Sequence, residues 1–289
     1  MNNKFFNSLN HIKVPNNIVK LSIQQRETDI IGMYVAIYRK INMDDNIFTL
    51  SDEEISRLSQ TTFAKANIHR FRKRMIKILD ILKEAGYIVD YSLPRQQIII
   101  NTDYDRFMSI EEDDENIRIL SRYDYATIVN GIYELEANTV NAFGQYKVSA
   151  WDSIALFIYL KTQMFQWHPN PNKQGWAKKP TVAKIVYEDI FTDMAFSAAK
   201  VKLIFDMLKE LDLIEFSKPI KYLNDYGKTR YGRTIVVEKT PVSQKKLPWQ
   251  EEFRNGINEY SNFLRNKGLF VPAYNHGLTS SNSEERELY

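Results

Sequence analysis

Residues 78–89 read ILDILKEAGYIV and residues 204–215 read IFDMLKELDLIE, so the chain carries one twelve-residue pattern twice. Six of the twelve positions are identical, and others, among them Ile81/Met207 and Tyr87/Leu213, stay apolar. In both copies apolar residues recur at helical spacing and then form a short run typical of a strand. Gly86 stands where the first of these helices ends, a position that glycine takes readily in the left-handed conformation. The pattern therefore predicts an internal structural repeat.

The sequence predicts the same order of elements around both copies. Two helices precede the helix that contains the repeated pattern, and two extended segments follow it. In the first unit we expect these elements at 29–41, from Ser51 onward, 64–85, 87–91 and 96–101. In the second unit we expect them at 150–165, 182–191, 196–211, 213–217 and 234–238. Ser51 can cap its helix with Glu54 at the capping-box position. Three helices followed by a hairpin are typical of a winged-helix unit.

We therefore expect an α+β fold, mostly α with small β-hairpin wings. It would consist of two tandem winged-helix domains, each with its own core, joined by an acidic, partly helical connector. The expected divisions are 1–102 for the first domain, 103–149 for the connector, 150–240 for the second domain, and 241–289 for a C-terminal helix and disordered tail. Within these divisions, the connector helix is predicted over 117–135 and the C-terminal helix over 250–265.

The net charge of +3 is unevenly distributed. Residues 1–102 contain 15 Lys and Arg against 10 Asp and Glu, and residues 151–289 contain 20 against 16. Residues 103–150 contain 4 against 10, including the run EEDDE at 111–115. Two mildly basic blocks therefore flank an acidic connector, and a modest total charge can hide a local basic face.

The sequence argues against several classes of protein. It contains no cysteine, so disulfides, thiolate metal sites and a cysteine nucleophile are excluded. The four histidines share no metal-ligand spacing, and neither a glycine-rich phosphate loop nor a Gly-x-Ser-x-Gly motif is present. We therefore expect no catalytic residue, cofactor or metal, and no enzymatic activity. Without a signal-peptide core or a membrane-spanning run, the expected location is the cytoplasm, with no membrane contact.

The third helix of the first unit has one apolar and one basic side. Its predicted core stripe consists of Ile68, Phe71, Met75, Ile78 and Leu82. From residue 65 to residue 77 there are six Lys and Arg and no acid. Arg and Lys suit phosphates and guanine edges, and Asn suits adenine, so this distribution is typical of a DNA recognition helix. The predicted DNA-binding residues of this unit are Lys65, Asn67, His69, Arg70, Arg72, Lys73, Arg74, Lys77 and, in the wing, Arg95.

The second unit differs, because the repeat places Phe196, Ala199 and Leu203 where the first unit has Arg70, Lys73 and Lys77. Its positive charge lies instead in a loop and in a long wing that also contains tyrosines. The predicted DNA-binding residues here are Lys178, Lys179, Lys218, Lys221, Lys228, Arg230 and Arg233, interleaved with Tyr222, Tyr226 and Tyr231. The wing could grip the DNA backbone or the minor groove. Equally, Phe196 and Leu203 could form an exposed protein–protein interface.

The order of the units and the N-terminal entry resemble the tandem winged-helix replication initiators of theta-replicating plasmids. The entry reads NNIV at 16–19, followed by Leu21 and Glu27, before the first unit opens with 30–41. The resemblance covers roughly residues 15–240, and similar units occur in phage replisome organisers. It implies binding to double-stranded origin DNA, duplex bending, and recruitment of host replication proteins without covalent chemistry.

Sequence-specific binding of double-stranded DNA by a replication initiator is therefore the favoured interpretation. One alternative is a transcriptional regulator of a mobile element that binds DNA through the third helix of the first unit and forms a homodimer through the second unit. The other alternative is an adaptor whose winged helices bind only proteins. Selection of binding sites from random duplexes would separate the three classes.

Overall fold

The computed structural model describes residues 11–38, 46–62, 68–101, 125–129, 148–164, 182–210, 213–239 and 249–272. In these ranges the chain is mixed α+β, with eight helices and small antiparallel sheets. None of the helices in these ranges is both long and apolar enough to cross a membrane.

The first unit begins with a short strand and an additional helix. Its elements are β1 (His11–Pro15), α1 (Asn16–Gln25), α2 (Asp29–Tyr38), β2 (Ile47–Thr49), α3 (Asp52–Thr62), α4 (Ile68–Glu84), β3 (Ile88–Ser92) and β4 (Gln97–Ile100). The last three strands form an antiparallel sheet in the order β2-β4-β3, in which Phe48 pairs with Ile98. The inward-facing Phe48, Ile98 and Ile100 are buried beside α4.

The second unit repeats the element order and the order of strands in its sheet. It contains α5 (Ala150–Met164), β6 (Val182–Ile185), α6 (Tyr187–Asp193), α7 (Ala198–Glu210), β7 (Ile214–Phe216), β8 (Lys221–Leu223), β9 (Thr229–Tyr231) and β10 (Thr234–Glu238), followed by α8 (Trp249–Asn266). Its sheet runs β6-β10-β7, and β8 and β9 form a separate hairpin between β7 and β10. Between the units, β5 (Tyr125–Val129) pairs with β1.

The predicted cap at Ser51 and the predicted helix end at Gly86 are both present. The Glu54 backbone N–H donates to Ser51 Oγ at 3.2 Å and thereby caps α3. Gly86 has φ of 80°, and the Tyr87 N–H donates to the Leu82 carbonyl at 2.9 Å as the chain leaves α4. This left-handed turn directs the chain from α4 into β3, since glycine lacks the Cβ that would clash there.

The two units share one continuous core. All residues of α2 are buried, as are all residues of α5 except Gln163, because these two helices pack against each other at the centre of the molecule. Trp151 of α5 lies so close to Gly32 that a Cβ there would be 2.4 Å from the indole Cγ. Phe71 of α4 meets the same indole edge-on, with ring centroids 5.9 Å apart. The expectation that each unit has its own core therefore does not hold.

The C-terminal helix α8 covers the outer face of the second sheet. Ala183 and Val236 point into the shared core, whereas the alternating residues Val182, Ile235 and Val237 point towards α8. From α8, the apolar stripe Phe253, Ile257, Tyr260 and Leu264 packs against them as a second, smaller core. The predicted helix over 250–265 is confirmed, while the predicted tail lies outside the described residues.

Three predictions about local structure are wrong. Ile68, the first residue of α4, is 42% exposed and does not belong to the buried stripe of that helix. Residues 125–129 of the predicted connector helix form a strand, because β1 supplies the partner that this β-branched sequence needs. Residues 182–185 likewise form a strand, and the helix after them begins only at Tyr187.

Candidate nucleic-acid interface

The outer face of α4 is the most basic helical surface in the described part of the chain. Phe71, Met75, Ile78, Leu79 and Leu82 are buried and fix the orientation of the helix about its axis. The predicted residues on the opposite side are all exposed: His69, Arg70, Arg72, Lys73 and Lys77. Lys73 makes no ion pair with any residue that the structure describes, so its ammonium group is available to an external anion. Lys65 and Asn67 lie outside the described residues.

Two of the predicted arginines on α4 already pair with carboxylates. Arg72 Nη2 lies 2.6 Å from Asp52 Oδ1, an exposed contact at the start of α3. Arg74 is half-buried, with Nη2 2.6 Å from Glu27 Oε1 and Nε 2.7 Å from Asp29 Oδ2. The assignment of Arg74 to an external anion is therefore corrected, because both of its donor edges are occupied by internal acids. Lys77 also lies near Glu27, at 3.6 Å, but remains exposed.

The pair formed by Arg74 belongs to a buried charge cluster where the two units meet. In the second unit, Lys200 Nζ lies 2.8 Å from Asp152 Oδ2. The Thr28 hydroxyl donates to the other oxygen of Asp152 at 3.4 Å and so joins the units. The repeat aligns Arg74 with Lys200, so each unit links its third helix to the start of its first long helix by the same kind of contact. This equivalence is the sequence signal that could have identified Arg74 as internal.

Burial raises the pKa of Asp29 to about 7, and the nearby negative charges of Asp152 and Glu27 act in the same direction. The positive charge of Arg74 opposes this shift but does not cancel it. A carboxyl group removed from water loses hydration that a single pairing does not replace. Asp29 therefore changes its protonation state close to neutral pH, next to a residue of the basic helix.

The wing of the first unit is short and ends in an exposed arginine. The β3–β4 turn contains Arg95, whose backbone N–H donates to Ser92 Oγ at 3.4 Å, and the chain reverses at Gln96 with φ of 54°. Arg95 is exposed, as the sequence predicts. Its guanidinium is therefore accessible at the tip of the wing.

In the second unit, the predicted apolar patch is not an exposed surface. Phe196 is only 5% exposed and belongs to the shared core, with Lys200 Nζ 4.2 Å from the centre of its ring. Leu203 is half-buried against the same core. The prediction that Phe196 is exposed is wrong, because α7 begins only at Ala198 and Phe196 does not follow its helical register. Leu203 lies on α7 and is partly covered by the shared core. The exposed residues near the start of α7 are small or basic, namely Ser197, Ala198, Ala199 and Lys202.

The long wing is an exposed β-hairpin with a basic and aromatic surface. Lys221, Lys228 and Arg230 are exposed, and Lys221 Nζ lies 5.7 Å from the centre of the Tyr231 ring. Tyr222 is half-buried against the smaller core, so it anchors the hairpin. Arg233 also stays at the base, where its Nη1 donates to the Lys184 carbonyl at 3.2 Å.

The three remaining predicted DNA-binding residues of the second unit are lysines. Lys218 is exposed just after β7, in the segment that leads into the hairpin. Lys178 and Lys179 lie outside the described residues. Within the described ranges, no group of three or more His, Asp or Glu side chains is arranged to hold a metal ion.

Comparison of the chain with protein-family models, with curated proteins and with solved structures gave no match. Any functional assignment therefore depends on the geometry and charge of the surfaces described above. Two such surfaces present unburied cations, the outer face of α4 and the β8–β9 hairpin.

Proposed function

We propose that the chain binds double-stranded DNA, with the first half of α4 as the main contact. The observation that carries this proposal is the exposure of His69, Arg70 and Lys73 on the side of α4 opposite its buried stripe. No residue of the described chain neutralises Lys73. The carboxylates of Glu27 and Asp29 instead contact Arg74, the next residue along α4. Cations spaced along one helical face can contact phosphates along the edge of the major groove.

The architecture that we propose for this function is a pair of winged-helix units. Both units have the order helix, strand, helix, helix, strand, strand, with the β8–β9 hairpin inserted before the last strand of the second unit, and both main sheets place the last strand between the other two. In such a unit the third helix is the one that enters the major groove, and in the first unit this is α4. The wings, with Arg95 in the first unit and the β8–β9 hairpin in the second, lie where they can reach neighbouring backbone or the minor groove.

Replication initiation is the specific role that we propose, and it rests on the resemblance to plasmid initiators described above. In this role the chain binds repeated origin sites and brings host replication proteins to them, without covalent chemistry. The burial of Phe196 removes part of the apolar patch that could have formed a protein–protein interface. A dimeric regulator that uses the same basic helix and a protein-binding adaptor are the alternatives that the following selection distinguishes.

The test is selection of binding sites from random duplexes, followed by titration of variants on the enriched sequence. Arg70→Ala with Lys73→Ala should weaken binding strongly and lower the slope of log affinity against log salt by about 0.9 for each phosphate that is no longer neutralised. The matched control is Lys83→Ala, which removes a cation from the far end of the same helix, where Lys83 pairs with Asp90 at 2.7 Å. This control should bind as the wild type does.

Each outcome of the selection has a definite meaning. Directly repeated sites support an initiator, and a palindrome supports a dimeric regulator. Absence of enrichment, together with absence of duplex binding at low salt, contradicts the proposal. Unchanged affinity in the Arg70→Ala, Lys73→Ala variant removes α4 from the interface even if the chain binds DNA.

A further inference from the structure

The β8–β9 hairpin ends in a tyrosine that nothing in the described chain covers. Tyr226 is 85% exposed, whereas most aromatic side chains of the described residues are buried or half-buried. It stands at the turn between Leu223, where β8 ends, and Thr229, where β9 begins. The ring therefore makes little contribution to packing within the described residues and is accessible to a partner.

The tip that carries Tyr226 is held in one conformation by Asn224. Asn224 Oδ1 accepts the backbone N–H groups of Tyr226 at 3.2 Å and Lys228 at 2.9 Å. The Gly227 N–H donates to the Asn224 carbonyl at 2.8 Å, and Gly227 has φ of 69°, which closes the turn. Such side-chain contacts to the backbone define a tight Asx-type turn. The ring is therefore presented by an ordered tip.

The hairpin is attached to the rest of the second unit at both of its ends. At the base, the Arg233 N–H donates to the Tyr260 hydroxyl of α8 at 3.2 Å, and Tyr222 packs against the smaller core. Next to the turn, where β8 ends, the Leu223 N–H donates to the Phe270 carbonyl at 2.9 Å. The helix α8 and the segment after it therefore fix the position of the hairpin.

The charge of the hairpin indicates an anionic partner. Lys228 lies in the turn, two residues after Tyr226, and Arg230 lies on β9, whereas Lys221 lies at the base of the hairpin opposite Tyr231. Asp225 adds an exposed acid to the tip, which the three cations outweigh. The minor groove of DNA is about 6 Å wide and is bordered by a phosphate backbone on each side. It is too narrow for a two-stranded ribbon but can admit a single ring from a hairpin tip.

We propose that Tyr226 enters the minor groove of the bound duplex and contacts a base step, while Lys228 and Arg230 contact the adjacent phosphate backbone. This inference rests on the proposed function, and it assigns a specific role to the second unit. Apolar and aromatic side chains that wedge into a base step unstack it and kink the duplex. Pyrimidine–purine steps such as TA unstack most easily, so the contact would favour them.

The experiment compares two duplexes of about 30 base pairs, roughly three helical turns, with equal A·T content. One contains TA steps, and the other contains A-tracts without them. Each carries a donor and an acceptor dye at its ends, so that a titration reports affinity and end-to-end distance together. Tyr226→Ala should lower affinity for the TA-containing duplex by about 5- to 150-fold, the range typical of aromatic–base contacts, and abolish its bend. Its affinity for the A-tract duplex should change less.

Two variants isolate the contribution of the aromatic ring at the tip. Tyr226→Phe keeps the ring and should retain the affinity, the bend and the preference for TA steps. Tyr231→Ala removes the other exposed tyrosine of the hairpin, at its base, and should retain the bend. Wild-type affinity and bend in Tyr226→Ala would overturn the proposal, as would equal losses in Tyr226→Phe and Tyr226→Ala, which would indicate a hydroxyl contact.

A fourth variant distinguishes this proposal from the DNA-binding function itself. Arg230→Ala should weaken binding to both duplexes by similar factors, because a phosphate contact is independent of sequence. Suppose that the wild type binds DNA, that Arg70→Ala with Lys73→Ala weakens this binding, and that Tyr226→Ala and Arg230→Ala bind as the wild type does. This result would support DNA binding and refute the hairpin contact. If the wild type binds neither duplex at low salt, both proposals fall.

Discussion

Replacement of Gly32 by alanine tests whether the two units depend on a single interior. A Cβ at this position would lie 2.4 Å from Cγ, 2.5 Å from Cδ2 and 2.8 Å from Cβ of Trp151. Ordinary contact between such atoms begins at 3.4 Å, so α2 and α5 would have to move apart by about 1 Å. Trp151 is fully buried, so the indole cannot turn into solvent to relieve the overlap.

The magnitude follows from the contacts that this displacement weakens. A large buried side chain makes about 40–60 atomic contacts of about 0.1–0.2 kcal/mol each, and a gap of 0.5–1 Å loses a quarter to a half of that energy. With central values of about 50 contacts and about 0.15 kcal/mol, the loss for Trp151 is roughly 2–4 kcal/mol, from which alanine recovers about 1 kcal/mol through its higher helix propensity. We therefore expect the free energy of unfolding to fall by about 1–3 kcal/mol.

The assay is equilibrium unfolding in denaturant, followed by tryptophan fluorescence and by far-ultraviolet circular dichroism. Gly256→Ala is the matched control, because Gly256 is also a buried helical glycine but faces the methyl groups of Val182 and Ile235, which can give way more easily. A Gly32→Ala variant as stable as the wild type would refute the reasoning. So would equal effects of Gly32→Ala in the wild type and in a Trp151→Ala background, since the predicted clash requires the indole.

Three further predictions concern charge and capping. The Asp29 carboxyl stays protonated up to about pH 7 in the folded state but loses its proton near pH 3.8 in the unfolded chain. The stability that this proton contributes is therefore fully present below pH 3.8 and is lost as the pH rises to 7. Asp29→Asn should reduce this slope by up to about 1.4 kcal/mol per pH unit, measured by denaturation between pH 4 and 8. Lys161→Met should cost about 3–5 kcal/mol because it removes the ammonium group that lies 2.7 Å from the buried Glu238 carboxylate, and changing both residues to Met should cost much less. Ser51→Ala should lower the unfolding free energy by about 1 kcal/mol in the same assay through loss of the cap on Glu54.

Local patterns were sufficient to predict much of the repeated framework. The spacing of Phe71, Met75, Ile78 and Leu82 predicted which side of α4 is buried, and therefore which side exposes Arg70 and Lys73. These signals lie within a few residues of the structure that they determine. The exposed part of the candidate site on α4 could therefore be predicted from the sequence.

Contacts between distant segments could not be predicted in the same way. Phe196 was assigned an outward position on the assumption that helical register extends to it, but Ala195 has φ of 51° and the helix begins at Ala198. The basic face likewise loses Arg74 to Glu27 and Asp29, which are more than 40 positions away along the chain. Spacing within a single helix carries no information about either arrangement, because both depend on how separate elements meet. Only the alignment of Arg74 with Lys200 in the repeat pointed to the second of them.

The complete burial of α2 has a consequence for synthesis of the chain on the ribosome. Its packing partner α5 begins at residue 150, about 110 residues after α2 ends. At about 5–20 residues per second, translation of that interval takes roughly 5–20 seconds. Throughout that time the apolar surface of α2 lacks its partner, and nascent chains in this state are the ones that aggregate or engage chaperones. Arrest of translation before residue 150 should therefore yield products that cannot complete their interior and are removed by cellular quality control.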